Sequence, residues 1–129
     1  MSKISTHVLD TVMGKPGAGI EVRLEFMEGG GWIEVANGPG SHERVQDSPG
    51  GWVEVGRGRT DGDGRCHDLA PEAPAGFYRI TFDAGAYFER CGRTSIYPEI
   101  SITFNCDGEG HYHLPLLLSD NSYTTYRGS

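Results

Sequence analysis

Hydrophobic and polar residues alternate along several short segments of this chain, in the pattern of half-buried β-strands. Over residues 20–26 every second residue is apolar, so the apolar side chains share one face at a period of two. The predicted strands cover residues 4–9, 20–26, 77–82, 100–104, 112–118 and 122–126. Twenty glycines and seven prolines lie between and around them and leave little room for long helices. This pattern predicts an all-β sandwich.

One short helix is predicted over residues 84–91, where the alternation stops. Arg90 would lie in its last turn, where a positive charge is favourable. Gly92 follows as a candidate glycine just past the helix end. The sequence therefore predicts a single helix in an otherwise β protein.

A near-repeat lies between the second and third predicted strands. Gly-Gly-Trp at residues 30–32 recurs at residues 50–52, each time followed by a β-type run. Two copies are too few for a stacked repeat architecture, which needs about three or more. The segment 37–49 is rich in glycine and proline and predicts either a longer hairpin or a partly disordered loop. We interpret about residues 36–50 as an extended surface loop within a single domain spanning residues 1–129.

Length, charge and cysteine content limit the classes of function. The 129 residues have room for one domain, and 11 basic against 18 acidic residues leave a formal net charge of −7. An acidic chain gains little from counterion release, so neither nucleic acids nor anionic membranes are expected partners. We identify neither a membrane-spanning run of about 20 apolar residues nor a secretion signal. Three cysteines without a C-x-x-C pair favour a reducing compartment, and we expect the cytoplasm.

The histidines are the first candidates for chemistry. His42, in the glycine-rich segment, and His67, at a strand start, are expected to be solvated surface residues. His7 lies in the first predicted strand, where a histidine is more often structural than catalytic. His111 and His113 share a strand face and could supply two metal ligands, but zinc requires three or four. The pattern supports a metal site only weakly, and we predict none.

Residues 60–65 form a second candidate, a segment rich in aspartate and glycine. The segment lacks the glutamate that closes an EF-hand, and no helices flank it. It predicts a turn that projects Arg65. The chain contains no nucleophile elbow, P-loop or dinucleotide fingerprint, and we predict no cofactor.

Taken together, these segments resemble the transthyretin-related 5-hydroxyisourate hydrolases. The matching motifs are Thr-His-Val-Leu-Asp at 6–10, Gly-Lys-Pro at 14–16, Asp-Gly-Arg at 63–65, Tyr-Pro-Glu-Ile at 97–100, the strand at 111–119 and Tyr-Arg-Gly-Ser at 126–129. Their order makes the resemblance specific, and it covers almost the whole chain. Two departures are a longer connection around residues 32–52 and an Asp-Asn turn at 120–121, which we expect to be neutral.

The resemblance implies a transthyretin-like (prealbumin) β-sandwich of two four-stranded antiparallel sheets with one short helix. It also implies a homotetramer, a dimer of dimers, with active sites in the channel between dimers. The implied reaction hydrolyses 5-hydroxyisourate to 2-oxo-4-hydroxy-4-carboxy-5-ureidoimidazoline in urate breakdown. The implied catalytic residues are His7, Arg65 and His113, and the implied substrate-binding residues add Tyr126, Arg127, Gly128 and Ser129.

These residue types suit the implied reaction. Water that attacks a cyclic amide-like C–N bond must lose a proton to a base, and the tetrahedral centre develops negative charge. We expect His7 and His113 to position and deprotonate that water, and the sequence leaves open which one is the base. Arg65 would supply a permanent planar cation to the substrate and the oxyanion. His111 is left outside the catalytic set.

Two other functions remain open on fold alone. The same fold hosts a secreted thyroid-hormone carrier, which lacks the His/Arg/His set and the Tyr-Arg-Gly-Ser end. An immunoglobulin-like interaction module would leave the histidines without a role. Because one fold serves many functions, the site residues must separate these alternatives.

Overall fold

The computed structural model describes residues 1–28 and 51–128 in full, and the backbone alone of strands at 32–36 and 42–46. The strands are β1 (Ser2–Asp10), β2 (Lys15–Pro16), β3 (Glu21–Glu28), β4 (Trp32–Ala36), β5 (His42–Gln46), β6 (Gly51–Arg59), β7 (Arg65–Ala73), β8 (Gly76–Phe82), β9 (Ile100–Cys106), β10 (His111–Ser119) and β11 (Ser122–Thr125). The helix α1 covers Ala84–Arg90. Each strand predicted from alternation is present, with ends shifted by a few residues at most.

The strands form two main sheets. One sheet has the order β11-β10-β1-β2, with β7 also paired to β1, and the other has the order β6-β3-β8-β9. The predicted transthyretin-like sandwich of two sheets with one short helix is confirmed. Two details differ from the prediction: β2 adds a fifth, two-residue strand, and β1 and β10 run parallel rather than antiparallel. A parallel pair is sterically feasible here because about a hundred residues of chain connect the two strands.

The core lies between the two sheets and is closed on one side by α1. The fully buried side chains include Tyr78, Phe82, Phe88, Ile4, Leu24 and Leu116. Phe88 belongs to α1, and the others come from the apolar faces of strands, as the period-two pattern requires. Asp83 caps the start of the helix, because its carboxylate accepts a hydrogen bond from the Ala86 N–H. Gly92 follows the end of the helix at φ +68°. The expected glycine at the helix end is therefore confirmed.

The near-repeat forms two different strands. Trp52 belongs to β6 and pairs with Met27 of β3, so the second copy supplies the sheet strand. Trp32 belongs to β4, which pairs with β5 in a separate two-stranded hairpin. The segment expected to be a surface loop, about residues 36–50, thus contains the strand β5. Its antiparallel pairing with β4 agrees with the alternative of a longer hairpin. The rest of that segment, and the side chain of His42, lie outside the described residues.

A buried carboxylate ties the end of β1 to the helix and to the β10–β11 turn. The Asp10 side chain accepts hydrogen bonds from the Tyr87 hydroxyl at 2.6 Å and from Arg93 Nη1 at 2.5 Å. Arg93 also donates to Asp120 at 2.6 Å. Burial alone would raise the pKa of Asp10, but the hydrogen bonds from Arg93, Tyr87 and the Met13 N–H outweigh it and lower the pKa to about 2. The network stabilises the frame on which the site is built.

Among the described residues, no helix is long and apolar enough to cross a membrane.

Candidate active site

Three strands bring the predicted catalytic side chains to one face of the five-stranded sheet. In the β1–β7 register His7 pairs with Arg65, and in the β1–β10 register Ser5 pairs with His113. Paired residues share a face, and Ser5 and His7 are two apart on β1 and share it too. The rings of His7 and His113 lie 6.4 Å apart between centroids. His7, Arg65 and His113 are all half-buried, so each keeps access to solvent or a ligand.

The turn before β7 fixes one side of this face. Asp61 Oδ1 accepts hydrogen bonds from the backbone N–H groups of Asp63 and Arg65, which closes the turn expected at residues 60–65. Gly64, at φ +78°, passes so close to Val8 that a Cβ there would lie 2.4 Å from the Val8 carbonyl oxygen. Only glycine meets both conditions without strain. The turn therefore holds Arg65 opposite His7.

The tautomer of neutral His7 follows from its hydrogen bond. His7 Nε2 lies 3.0 Å from the carbonyl oxygen of Asp63. A carbonyl oxygen can only accept, so Nε2 carries the proton and donates it. Neutral His7 then has its lone pair on Nδ1, which is the ring atom that can bind a water proton.

His113 is held from the opposite direction by a residue that the sequence did not single out. Its Nδ1 lies 2.8 Å from Ser5 Oγ, and Ser5 Oγ lies 2.7 Å from His111 Nε2. Ser5 is only 3% exposed, whereas His111 is exposed. The sequence did contain one indication of its role, because Ser5 is two residues from His7 on the same strand and shares its face. That indication identifies Ser5 as a partner of His113 only when the β1–β10 register is known.

Burial and the neighbouring ionisable groups favour the neutral form of His113. Burial lowers the pKa of His113, and electrostatic interaction with His111, Arg65 and His7 lowers it further. His67, expected to be a plain surface residue, contributes in the same direction as the smallest of these influences. A neutral imidazole near pH 7 can accept a proton from water.

The end of the chain packs against His113. The Gly128 N–H donates a 2.7 Å hydrogen bond to the His113 carbonyl oxygen, and a Cβ at Gly128 would lie 2.9 Å from His113 Cδ2. The Arg127 guanidinium lies 3.9 Å from the centre of the Tyr112 ring. Tyr126 is exposed beside them. Ser129 lies outside the described residues, so its predicted role stays a prediction.

The site combines two imidazoles and one guanidinium on a sheet face. Such a set can move a proton and stabilise an oxyanion. Within residues 1–28 and 51–128, no group of three or more histidine, cysteine, aspartate or glutamate side chains could hold a metal ion.

Comparison with known proteins places the chain among its relatives. The model of the HIUase/Transthyretin family matches residues 4–128. The chain belongs to this family. The 5-hydroxyisourate hydrolase of Salmonella dublin is 40% identical over 129 residues, which cover 98% of this chain and 80% of that protein. The family resemblance identified from the sequence motifs is thereby confirmed.

Solved structures of this family include both an enzyme and a transthyretin. The 5-hydroxyisourate hydrolase of Klebsiella pneumoniae superposes with a TM-score of 0.75 at 34% identity, over 100% of both chains. The transthyretin of Sparus aurata superposes with a TM-score of 0.77 at 32% identity, over 98% of this chain and 96% of that one. Because these two scores are nearly equal, backbone similarity does not separate the two functions.

Proposed function

We propose that this protein hydrolyses 5-hydroxyisourate to 2-oxo-4-hydroxy-4-carboxy-5-ureidoimidazoline, a step in urate breakdown. The observation that carries the proposal is the meeting of His7, Arg65 and His113 on one sheet face, from strands far apart in sequence. The relatives named 5-hydroxyisourate hydrolase support it. The proposed steps use these side chains and water.

His113 acts as the base in this proposal. Its Nδ1 is engaged by Ser5, so Nε2 is the ring nitrogen that takes a proton from water. Its lowered pKa keeps it unprotonated at neutral pH, which a base requires. His7 offers Nδ1 as a second acceptor and orients the same water, because its Nε2–H is held by Asp63.

Arg65 stabilises the negative charge that develops. As water adds to the ring carbonyl carbon, the carbonyl oxygen becomes an oxyanion, and the permanent positive charge of half-buried Arg65 favours that state. The C–N bond of the ring then breaks, and the leaving nitrogen takes up a proton. Loss of one such charged donor typically lowers turnover by about 10² to 10³-fold.

The C-terminal residues complete the substrate site in this proposal. Gly128 is hydrogen-bonded to His113, and Arg127 Nη2 donates to the His111 carbonyl oxygen at 3.3 Å. Both contacts hold the end of the chain beside the catalytic face. Tyr126, Arg127, Gly128 and Ser129 are therefore proposed to line the substrate.

We further propose a homotetramer, a dimer of dimers, in the cytoplasm. Val12 and Met13 in the β1–β2 turn and Tyr123 on the edge strand β11 are exposed large apolar side chains, which a subunit interface would cover. Cys66, Cys91 and Cys106 are free thiols, as a reducing compartment favours. Light scattering of the purified protein tests the assembly, and a stable monomer would contradict it.

Site substitutions test the catalytic assignment. His7→Ala, Arg65→Ala and His113→Ala should each lower kcat/KM for freshly generated 5-hydroxyisourate by about 10²-fold or more, with unchanged circular dichroism. Arg57→Ala is the matched control, because Arg57 is exposed on the other sheet and pairs with Glu54. Rates near wild type in all three site variants would refute the assignment.

The second candidate function is that of a hormone carrier. It is favoured by the similarity to a sea bream transthyretin whose structure was solved in complex with thyroxine, which has 32% identity and a TM-score of 0.77. The ionisable groups on the site face favour hydrolysis over a carrier role. Titration with thyroxine separates the two. Tight thyroxine binding without any hydrolysis would favour the carrier.

A further inference from the structure

The side chain of Ser5 is hydrogen-bonded to two histidines, His111 and His113. The rings of His111 and His113 are 5.9 Å apart between centroids, while Ser5 Oγ lies 2.7 Å from His111 Nε2 and 2.8 Å from His113 Nδ1. Ser5 is buried, and His111 is exposed to solvent. The three side chains therefore form one hydrogen-bonded line along the catalytic face, from half-buried His113 to exposed His111.

A hydroxyl has one proton, so this line has a direction. If Ser5 donates to His111, it must accept the Nδ1–H of His113, which leaves His113 Nε2 unprotonated and basic. If Ser5 donates to His113 Nδ1, it must accept from His111, and His113 carries its proton on Nε2 as an acid. The two arrangements differ by one concerted shift of protons along the line and by one proton gained at His113 Nε2 from the attacking water.

We propose that Ser5 and His111 form a proton relay behind His113, with Ser5 as the positioning residue that switches His113 between base and acid. This inference rests on the proposed hydrolysis. His111, which the sequence interpretation left outside the catalytic set, becomes the group that stores the proton at the solvent end.

The number of protons on the relay is the same before and after the reaction. Water adds its hydroxyl to the carbonyl carbon and gives its proton to His113 Nε2. The His113 Nδ1 proton then passes to Ser5, and the Ser5 proton passes to His111 Nε2. His113 is now neutral with a proton on Nε2, and His111 is cationic. When the C–N bond breaks, the leaving nitrogen takes the Nε2 proton, and the stored proton returns through Ser5. The new carboxylic acid then ionises to solvent.

The surroundings of His113 favour export of the proton. The charged or titratable groups that act on His113 are His7 on β1, Arg65 and His67 on β7, and His111 on β10, and all of them oppose a positive charge there. Moving the proton to the exposed His111 places the charge where water can solvate it. A doubly protonated His113 is thereby avoided.

Three variants of the protein test the relay. Ser5→Ala removes the bridge and should lower kcat about 10 to 100-fold with KM changed less than about threefold, within the usual range for acid–base catalysis. His111→Gln can still hydrogen-bond Ser5 but cannot hold the proton, and should lower kcat about tenfold. Ser5→Thr keeps a hydroxyl and should recover most of the rate that Ser5→Ala loses. Ser101→Ala, an exposed serine on the other sheet that contacts Thr81, is the matched control.

The kinetic outcomes separate a relay from a purely structural serine. A slow Ser5→Ala with a wild-type His111→Gln would overturn the relay, because Ser5 would then only hold His113 in place. A Ser5→Ala variant within twofold of wild type would also overturn it.

Nitrogen-15 spectra of the histidine rings give a second readout that does not depend on hydrolysis. In wild type the His113 Nδ1 signal should follow the titration of His111, and in Ser5→Ala this coupling should vanish. Coupling that persists in Ser5→Ala, or is absent from wild type, would overturn the relay. A wild type that does not hydrolyse 5-hydroxyisourate would instead refute the proposed function, and the spectra would still decide whether the hydrogen-bonded line exists.

Discussion

Replacing Asp10 by asparagine should lower the free energy of unfolding, and part of this loss should depend on pH. Asp10 is 1% exposed and accepts hydrogen bonds from Tyr87 and Arg93, which hold the end of β1 to the helix and the region after it. Removing one partner of a buried ion pair typically costs roughly 3–5 kcal/mol. Arg93 keeps its contact with Asp120, so we expect the lower end of that range.

The pH-dependent part follows from the pKa of Asp10. That pKa falls from 3.8 to about 2 in the folded protein, and each pKa unit is worth about 1.4 kcal/mol, which gives roughly 2 kcal/mol. Because the folded pKa is depressed, this stability is fully present above about pH 4 and is lost as the pH falls through about 2. The amide of the Asp10→Asn variant cannot titrate, so the variant lacks this contribution at every pH.

Urea unfolding of both proteins at pH 7 and near pH 2 measures the effect. The difference in unfolding free energy between wild type and Asp10→Asn should be about 3 kcal/mol at pH 7 and should shrink by roughly 2 kcal/mol near pH 2. Asp120→Asn is the control and should cost less than about 1 kcal/mol, because Asp120 is partly exposed. A difference between wild type and Asp10→Asn that does not change with pH would refute the reasoning.

Two further predictions concern the site. The acid limb of kcat/KM should lie below pH 6.5, because His113 must be neutral and its pKa is lowered. His111→Gln should move that limb to higher pH, because it removes one of the groups that lower the pKa of His113. A pH–rate series checks this, and a shift to lower pH would contradict it. Gly128→Ala should lower kcat/KM about tenfold or more, because its methyl group would press on His113 at 2.9 Å. Gly62→Ala is the control, because a Cβ at this position would have no neighbour within 4 Å, and it should match wild type in the same assay. Equal rates in the two variants would contradict the predicted clash between the new methyl group at position 128 and His113.

Alternation of apolar residues was enough to predict six of the strands, which are β1, β3, β8, β9, β10 and β11, because each of these buries one face and exposes the other. It could not predict strand direction, since a period of two looks the same in parallel and antiparallel pairs. The parallel pairing of β1 with β10 and the two-residue β2 therefore appear only in the structure. The sequence also could not show which Gly-Gly-Trp copy forms the strand of the main sheet, because both copies carry a β-type pattern.

The site residues were predicted one by one from motifs. The hydrogen bonds and electrostatic interactions that connect them were not predicted. His7, Arg65 and His113 were selected by resemblance, and the structure brings them onto one face. The bridge through Ser5 joins residues 108 positions apart in sequence, so it depends on the β1–β10 register and not on local pattern. The influence of His67 on His113 likewise requires the packed sheet.

The most direct measurement follows the ultraviolet signal of 5-hydroxyisourate as it is formed from urate by urate oxidase. The wild-type protein at catalytic concentration should speed the loss of that signal, and Arg65→Ala at the same concentration should leave it close to the uncatalysed rate. Decay that wild-type protein does not change would contradict the proposed hydrolysis directly.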